Sequence, residues 1–262
     1  MIQEQNLPES LTVQQDGVLL FVQLTRASKR NALNDATLLG LEQIFTHLPA
    51  DVRAVVLSGE GDHFCAGLDL TELEDHDVVA GIAHSRTWHR VFERIQFGAV
   101  PVVALLRGAV IGGGLELACA AHIRVAEAST FYALPEGQHG IFPGGSASVR
   151  VPKLIGVART MEMMLTGRMV DAEEGAAIGL SHYLVANGEG LTKALEVAHQ
   201  IAGNTPLTNY AILHILPRIA ESNQEQGLLM ESLIAAITQS TPEAKARVQQ
   251  FLNRKRSKVD NA

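Results

Sequence analysis

The chain reads as an α/β protein that ends in an all-helical segment. Three observations predict this class. Strand-like and helix-like patterns alternate from residue 18 to about 190, the order that builds a layered α/β fold. Arg53-Ala54-Val55-Val56-Leu57-Ser58 is almost continuously apolar, as a strand buried on both faces should be. After Leu191 strand signals cease and helix starts take over.

Val18–Leu24 is the first strand, bounded by Asp16-Gly17 and Thr25-Arg26. Arg26–Asn31 is a polar, basic loop. From about Asp35, Leu38, Leu41, Ile44, Phe45 and Leu48 recur at helical spacing, with Pro49 as the stop. The strand at 53–58 leads into Gly59–Leu70, a glycine loop with a tight Ala66-Gly67 step before a helix start, where Thr71 and Glu74 have capping-box spacing. This stretch is either an ordinary strand-to-helix connection or a place where the bare N–H of Leu68 meets a ligand. Residues 75–98 form a helix carrying His76, His84, Trp88, His89 and Phe92, suited to walling a pocket or to plain packing.

Val102–Leu106 is a further strand; Gly112-Gly113-Gly114 then opens an apolar helix with Glu116 in its first turn. A helix start presents unpaired N–H groups and a positive dipole end to an oxygen gaining charge, and glycines let the backbone approach closely. Taken alone, this is an anion site or a turn in which Glu116 serves the helix dipole. Strands at His122–Ala126 and Thr130–Leu134 follow, then a carboxylate at a turn, Pro135-Glu136-Gly137, and a small-residue loop through Ser146. Helices at 148–154 and 158–165 precede a short one capped by Asp171 and Glu174 and ending near Gly179. Leu191–Gly203 is helical, and Thr205-Pro206 and Thr241-Pro242 are helix starts with Pro at the first position. The boundary falls near residue 200, giving a core of 1–200 and a helical 201–262 that docks on another subunit or packs on its own core.

The 262 residues, 47% hydrophobic with nine prolines, suit a well-packed globular chain. A net charge of −7 disfavours general nucleic-acid binding. No apolar run is long enough to span a bilayer, and residues 1–9 resemble neither a signal nor a transit peptide. Cys65 and Cys119 have neither metal-ligand nor disulfide-framework spacing and read as small core residues. A cytoplasmic location is the expectation.

Four ordered motifs then resemble the crotonase (enoyl-CoA hydratase/isomerase) family: Phe64-Cys65-Ala66-Gly67-Leu68-Asp69-Leu70, Gly112–Ala118, Pro135–Gly144 and Leu165-Thr166-Gly167-Arg168. The resemblance covers nearly the whole chain, and Glu116 and Glu136 stand twenty positions apart, a spacing familiar from hydratases. The resemblance implies a ββα superhelix with a C-terminal helical oligomerisation domain, assembling as a homotrimer or homohexamer. It implies an acyl-CoA substrate, no nucleic-acid or membrane partner, no metal, and no cofactor beyond the coenzyme A of the thioester.

By the same resemblance the N–H groups of Leu68 and Gly113 form an oxyanion hole for the thioester carbonyl. Glu116 activates water and Glu136 exchanges the proton at C2, so the implied reaction is hydration of a 2-enoyl-CoA. An isomerase, or another acyl-CoA lyase or hydrolase of the family, is the alternative; a non-catalytic acyl-CoA binder or RNA-associated relative is disfavoured by the intact carboxylates and the acidic charge. Substrate and CoA contacts carry over to Ala66, Gly67, Asp69, Lys29, Arg30, Gly144, Phe251 and Arg254. Three departures stand out. Ala27 replaces a usual Pro, Gly145–Arg150 replaces a Gly-Gly-Thr-Gln-Arg-like run, and His139 follows Glu136 closely. The first is a small change in a surface loop. The other two border the pocket's acyl end and leave the acyl group open; His139 reads as a specificity contact, a partner of Glu136, or a solvent-facing loop residue.

Overall fold

Four successive lengths of chain repeat one plan: a strand of a main sheet, a short extended segment (an isolated bridge in the first two, a strand of a second sheet in the last two), then a helix. This computed structural model describes residues 7–73 and 77–259, apart from the side chains of 72, 73 and 254–259. A hairpin of β1 (Leu11–Asp16) and β2 (Leu19–Leu24) starts the main sheet. The first repeat runs from β2 through Leu33, which bridges Leu68, into α1 (Asp35–Thr46). The second runs from β3 (Ala54–Gly59) through Cys65, which bridges Val110, to α2 (Val78–Gln96). The third is β4 (Val102–Leu106), β5 (Ala109–Ile111) and α3 (Gly113–Ala120). The fourth is β6 (Ile123–Glu127), β7 (Phe131–Ala133) and α4 (Ala147–Ile155).

After α5 (Val157–Thr166) come β8 (Val170–Asp171), α6 (Ala172–Ile178), β9 (Tyr183–Val185) and α7 (Gly190–Ala202). The main sheet has the order β1-β2-β3-β4-β6-β9, parallel except for the β1–β2 hairpin, and the second sheet the order β5-β7-β8.

The apolar runs have a physical reason: alternate residues serve two cores. Val55 and Leu57 of β3, with Val102, Ala104 and Leu106 of β4, join the larger core beside α1, α2 and α3. Their neighbours Ala54, Val56, Val103 and Leu105 join a smaller core closed by Ala194, Val197 and Ala198 of α7. Both faces are therefore dry, and the polar/apolar alternation of a half-exposed sheet is lost. Strand ends at the second sheet carry the loops that build the site.

Local signals acted as the sequence predicts at several points. Asp171 caps α6 by accepting the N–H of Glu174, while Asn34, not singled out from the sequence, caps α1 by accepting that of Thr37. Others differ. Helix α1 stops at Thr46, before Pro49, since the residue preceding a proline already resists the helical region. Strand β1 was not anticipated because its side chains beyond Leu11 and Val13 are exposed and largely polar. The very short β8 and β9 carried too few residues to show a period. Glu74 and His76 lie outside the described residues; Asp69 accepts from the Thr71 N–H and hydroxyl instead.

From Gly203 onward the chain is a second compact unit, separate from the first, which ends at Ala202. It holds α8 (Pro206–His214), α9 (Leu216–Glu221), α10 (Gln224–Ser240) and α11 (Pro242–Val259). Thr205 caps α8 through the N–H of Thr208, with Pro206 inside the first turn. Among the described residues no helix is long and apolar enough to cross a membrane.

Candidate active site

Two loops from neighbouring repeats bring bare backbone N–H groups together. The first is fixed on both sides of Leu68: the carbonyl of Gly67 accepts from Leu33 N–H at 2.7 Å, and Asp69 N–H donates to Leu33 O at 2.8 Å. Gly67 has φ +102°, and a Cβ there would lie 2.8 Å from the Ile111 carbonyl, so only glycine fits. The second loop is the start of α3. A Cβ on Gly113 would meet the Trp88 ring at 2.7 Å and the Leu68 nitrogen at 3.3 Å. The N–H groups of Leu68 and Gly113 thus flank one spot, and neither donates to an acceptor among the described residues. For Gly113 this follows from its place in the first turn, whose N–H groups have no intrahelical partner.

Both amides line a cavity of about 610 Å³ that also contains Glu116, Glu136, Trp88, His84 and His139. Glu116 is buried in the first turn of α3, where its own N–H donates to Gly112 O at 3.0 Å. Its Oε1 accepts from Gly145 N–H at 3.0 Å and from Ala147 N–H at 2.7 Å. Burial pushes its carboxyl up to about 7 and the nearby Glu136 adds to the rise, while the two N–H bonds and the Arg150 charge oppose it. Glu136 opens a short 3₁₀ turn, Glu136–His139. Its Oε2 is buried with no hydrogen-bond partner among the described residues. Burial raises this carboxyl too, against its own backbone N–H and the charge of His139.

Trp88 forms the wall between these groups. Its indole N–H donates to His84 Nε2 at 3.2 Å, and a Cβ added at Gly113 or at Gly145 would meet its ring at 2.7 Å. Next to it, Ser85 donates to Gly144 O at 2.6 Å, joining α2 to the loop before α4. The thiols take no part: burial pushes Cys65 up to about 12 and Cys119 to about 11.

Of the residues expected from sequence, Ala66, Gly67, Leu68, Gly113, Glu116, Glu136 and Gly144 share the cavity. Asp69 is not on its lining. Its carboxylate pairs with Arg26 at 2.8 Å, and this bond holds it below the usual carboxylate range. Lys29 and Arg30 are exposed and off the lining, but Arg30 O accepts the Ala66 N–H at 2.9 Å, so the basic loop borders the Ala66 segment. Phe251 is exposed on α11 in the second unit, and the side chain of Arg254 lies outside the described residues. His139 lines the cavity on an exposed turn. Sequence reasoning missed the amide clamp on Glu116 and the apolar rim of Leu70, Val78, Ile82 and Phe142. The rim gave a signal only as apolar residues that no core position claimed.

Comparison with known proteins places nearly the whole chain among relatives of one family. A solved protein from Rhodopseudomonas palustris CGA009, provisionally named an enoyl-CoA hydratase, is 57% identical with a TM-score of 0.93, over 96% of this chain and 97% of that one. An enoyl-CoA hydratase structure from Bacillus anthracis is 29% identical with a TM-score of 0.88, covering 94% and 97% of the two chains. The short-chain-enoyl-CoA hydratase of Clostridium acetobutylicum is 27% identical over 250 residues, 94% of this chain and 96% of that protein. Residues 14–261 match the family described as Enoyl-CoA hydratase/isomerase. With the repeated strand–strand–helix plan, this match establishes that the chain belongs to the enoyl-CoA hydratase/isomerase family.

Proposed function

We propose that the protein hydrates a 2-enoyl-CoA thioester. The observation that carries this reading is the meeting of two buried carboxylates, Glu116 and Glu136, with two acceptor-free amides, Leu68 and Gly113, on one cavity. The thioester oxygen sits between the amides and gains negative charge as water adds at C3; donors already aimed at that oxygen need no rearrangement to stabilise it. Glu116, held through Oε1 by two N–H groups, takes a proton from the attacking water. Glu136, raised by burial and with no hydrogen-bond partner at Oε2 among the described residues, gives a proton to C2. The oxygen–carbon bond forms at C3, the C2–C3 π pair moves through the enolate to C2, and one proton passes from water to Glu116 while another leaves Glu136. Exchange with solvent resets the pair, whose titration belongs to both groups together.

The exposed Lys29 and Arg30 beside the Ala66 segment suit the phosphates of coenzyme A, and we assign Phe251 and Arg254 of a neighbouring subunit to the same nucleotide in a homotrimer or homohexamer. Light scattering tests the assembly, and a monomer overturns the shared nucleotide site.

Turnover of crotonyl-CoA, followed by loss of the conjugated absorbance with products identified by mass, tests the reaction. Glu116→Gln and Glu136→Gln each should lower kcat by about 100-fold or more, the range of positioned acid–base groups. Wild-type hydration in either variant overturns the reading. No hydration by the wild type, with 3-enoyl to 2-enoyl isomerisation that survives Glu116→Gln, would assign the one-carboxylate isomerase reaction instead.

A further inference from the structure

The turn that clamps Glu116 is held in an unfavourable shape by a side-chain anchor. Ser146 has φ +108°, and with Arg30 and Asn31 it is one of three non-glycine residues with positive φ among the described residues. It lies between Gly145 and Ala147, the two residues whose N–H groups bind Glu116 Oε1. A glycine would adopt this backbone without strain; what serine adds is its hydroxyl.

That hydroxyl is not used as its position suggests. Ser146 is the N-cap of α4, where a serine side chain ordinarily accepts an N–H of the first turn, yet it makes no such bond. Instead it accepts from Arg150 Nη1, one turn along the helix. Arg150 is buried, and its Nε donates to Gln96 Oε1 at 2.7 Å at the end of α2. The Gln96 carbonyl is 2.9 Å from His122 Nε2, while His122 Nδ1 accepts the Val102 N–H at 2.9 Å. With Nδ1 accepting, Nε2 carries the proton toward Gln96. Hydrogen bonds to the backbone carbonyl and to the side-chain oxygen of Gln96, linked through its side chain, therefore join the first residue of β4 to the Ser146 turn.

We infer that Ser146 and Arg150 are positioning residues for the carboxylate of Glu116: the Arg150–Ser146 bond holds the left-handed turn so that both flanking amides converge on Oε1. The role rests on Glu116 as the base of the proposed reaction. Arg150 also acts through its charge, which draws the Glu116 carboxyl down against burial and against Glu136; Arg150 itself faces Glu93, Cys119 and Glu116. Loosening the anchor thus alters both where the carboxylate points and where it titrates. Small misplacements of a reacting group cost on the order of 10- to 100-fold in rate.

The test is hydration of crotonyl-CoA across pH by the full chain carrying Ser146→Gly, Arg150→Met, Arg150→Lys or Glu116→Gln. Ser146→Gly removes the hydroxyl and keeps a backbone at ease with positive φ, so the fold survives. The expected result is kcat lowered about tenfold with KM within twofold. Arg150→Met should lower kcat by 10- to 100-fold and move the acidic limb of the kcat profile to higher pH. Arg150→Lys should return the limb toward the wild-type position without restoring kcat. Wild-type kcat and an unmoved limb in both Ser146→Gly and Arg150→Met, with Glu116→Gln inactive, overturns the positioning role and leaves the reaction assignment standing. A raised KM at unchanged kcat also overturns it. Wild-type hydration by Glu116→Gln overturns the assignment itself, and the positioning role with it.

Discussion

The Oε1 atom of Glu116 lies 2.7 Å from the backbone nitrogen of Ala147, thirty-one residues further along the chain. A carboxylate buried at a helix start is thereby held by a loop from the following repeat, and its titration follows from that setting. Burial carries it up to about 7, so the native state binds a proton that the unfolded chain, at the ordinary carboxylate value of 4.5, has already lost. Stability from this group is present below that ordinary value and falls as pH rises to about 7. Replacing Glu116 with Gln removes the loss. The variant should gain stability over the wild type between pH 5 and 7, reaching roughly 3 kcal/mol at pH 8 by linkage; urea melts of both proteins across that range check it.

In activity the same group gives the opposite slope. The wild-type kcat for hydration should fall as pH drops through about 7, because the base becomes protonated. A profile flat from pH 5 to 9 would count against Glu116 as the base.

Gly113→Ala should lower kcat/KM by about 100-fold or more, the usual loss for one oxyanion donor. The added Cβ meets the Trp88 ring at 2.7 Å and crowds the Leu68 nitrogen at 3.3 Å, so it both fills the oxygen's place and separates the donors. Leu68→Ala keeps its N–H, and its half-buried side chain leaves the cavity wall largely intact. Its kcat/KM should fall less than about tenfold, and steady-state kinetics on the pair separates backbone from side chain.

Reversing the basic loop with Lys29→Glu and Arg30→Glu should raise KM several-fold with kcat unchanged. Both side chains are exposed, and salt screens exposed charges, so the difference from wild type should shrink at about 0.5 M salt. Titrating KM against ionic strength decides the point.

Neither thiol should react with a thiol reagent in the native protein, since Cys65 and Cys119 are buried and raised to about 12 and about 11. The thiolate is the reactive form. Two equivalents should be labelled once the chain is unfolded in denaturant.

What the sequence made legible was local. The Gly112-Gly113-Gly114 start of α3, the Ala66-Gly67 step and the β3 and β4 runs each carry their reason within a few residues: close approach, helix start, burial on two faces. The partners of these segments were not legible. Gly145 and Ala147 reach Glu116 across 29 and 31 residues, and Leu33 reaches Gly67 and Asp69 across more than thirty. A backbone hydrogen bond of this kind leaves no period and asks for no residue type. Asp69 shows the converse: its motif suggested a substrate contact, while its carboxylate is committed to Arg26. Ser146 was visible as a departure, but not the anchor that explains it.

The grip of Leu33 on both sides of Leu68 makes the aim of this amide depend on the docking of the N-terminal repeat. The N–H of Leu68 belongs to the second repeat, yet its orientation is set by a bridge made by the first. A chain trimmed to begin at α1 keeps every residue of the cavity lining but loses the strand-like clasp that orients this amide. Turnover in refolding should therefore require the N-terminal repeat to be docked on its neighbour, whenever that docking happens.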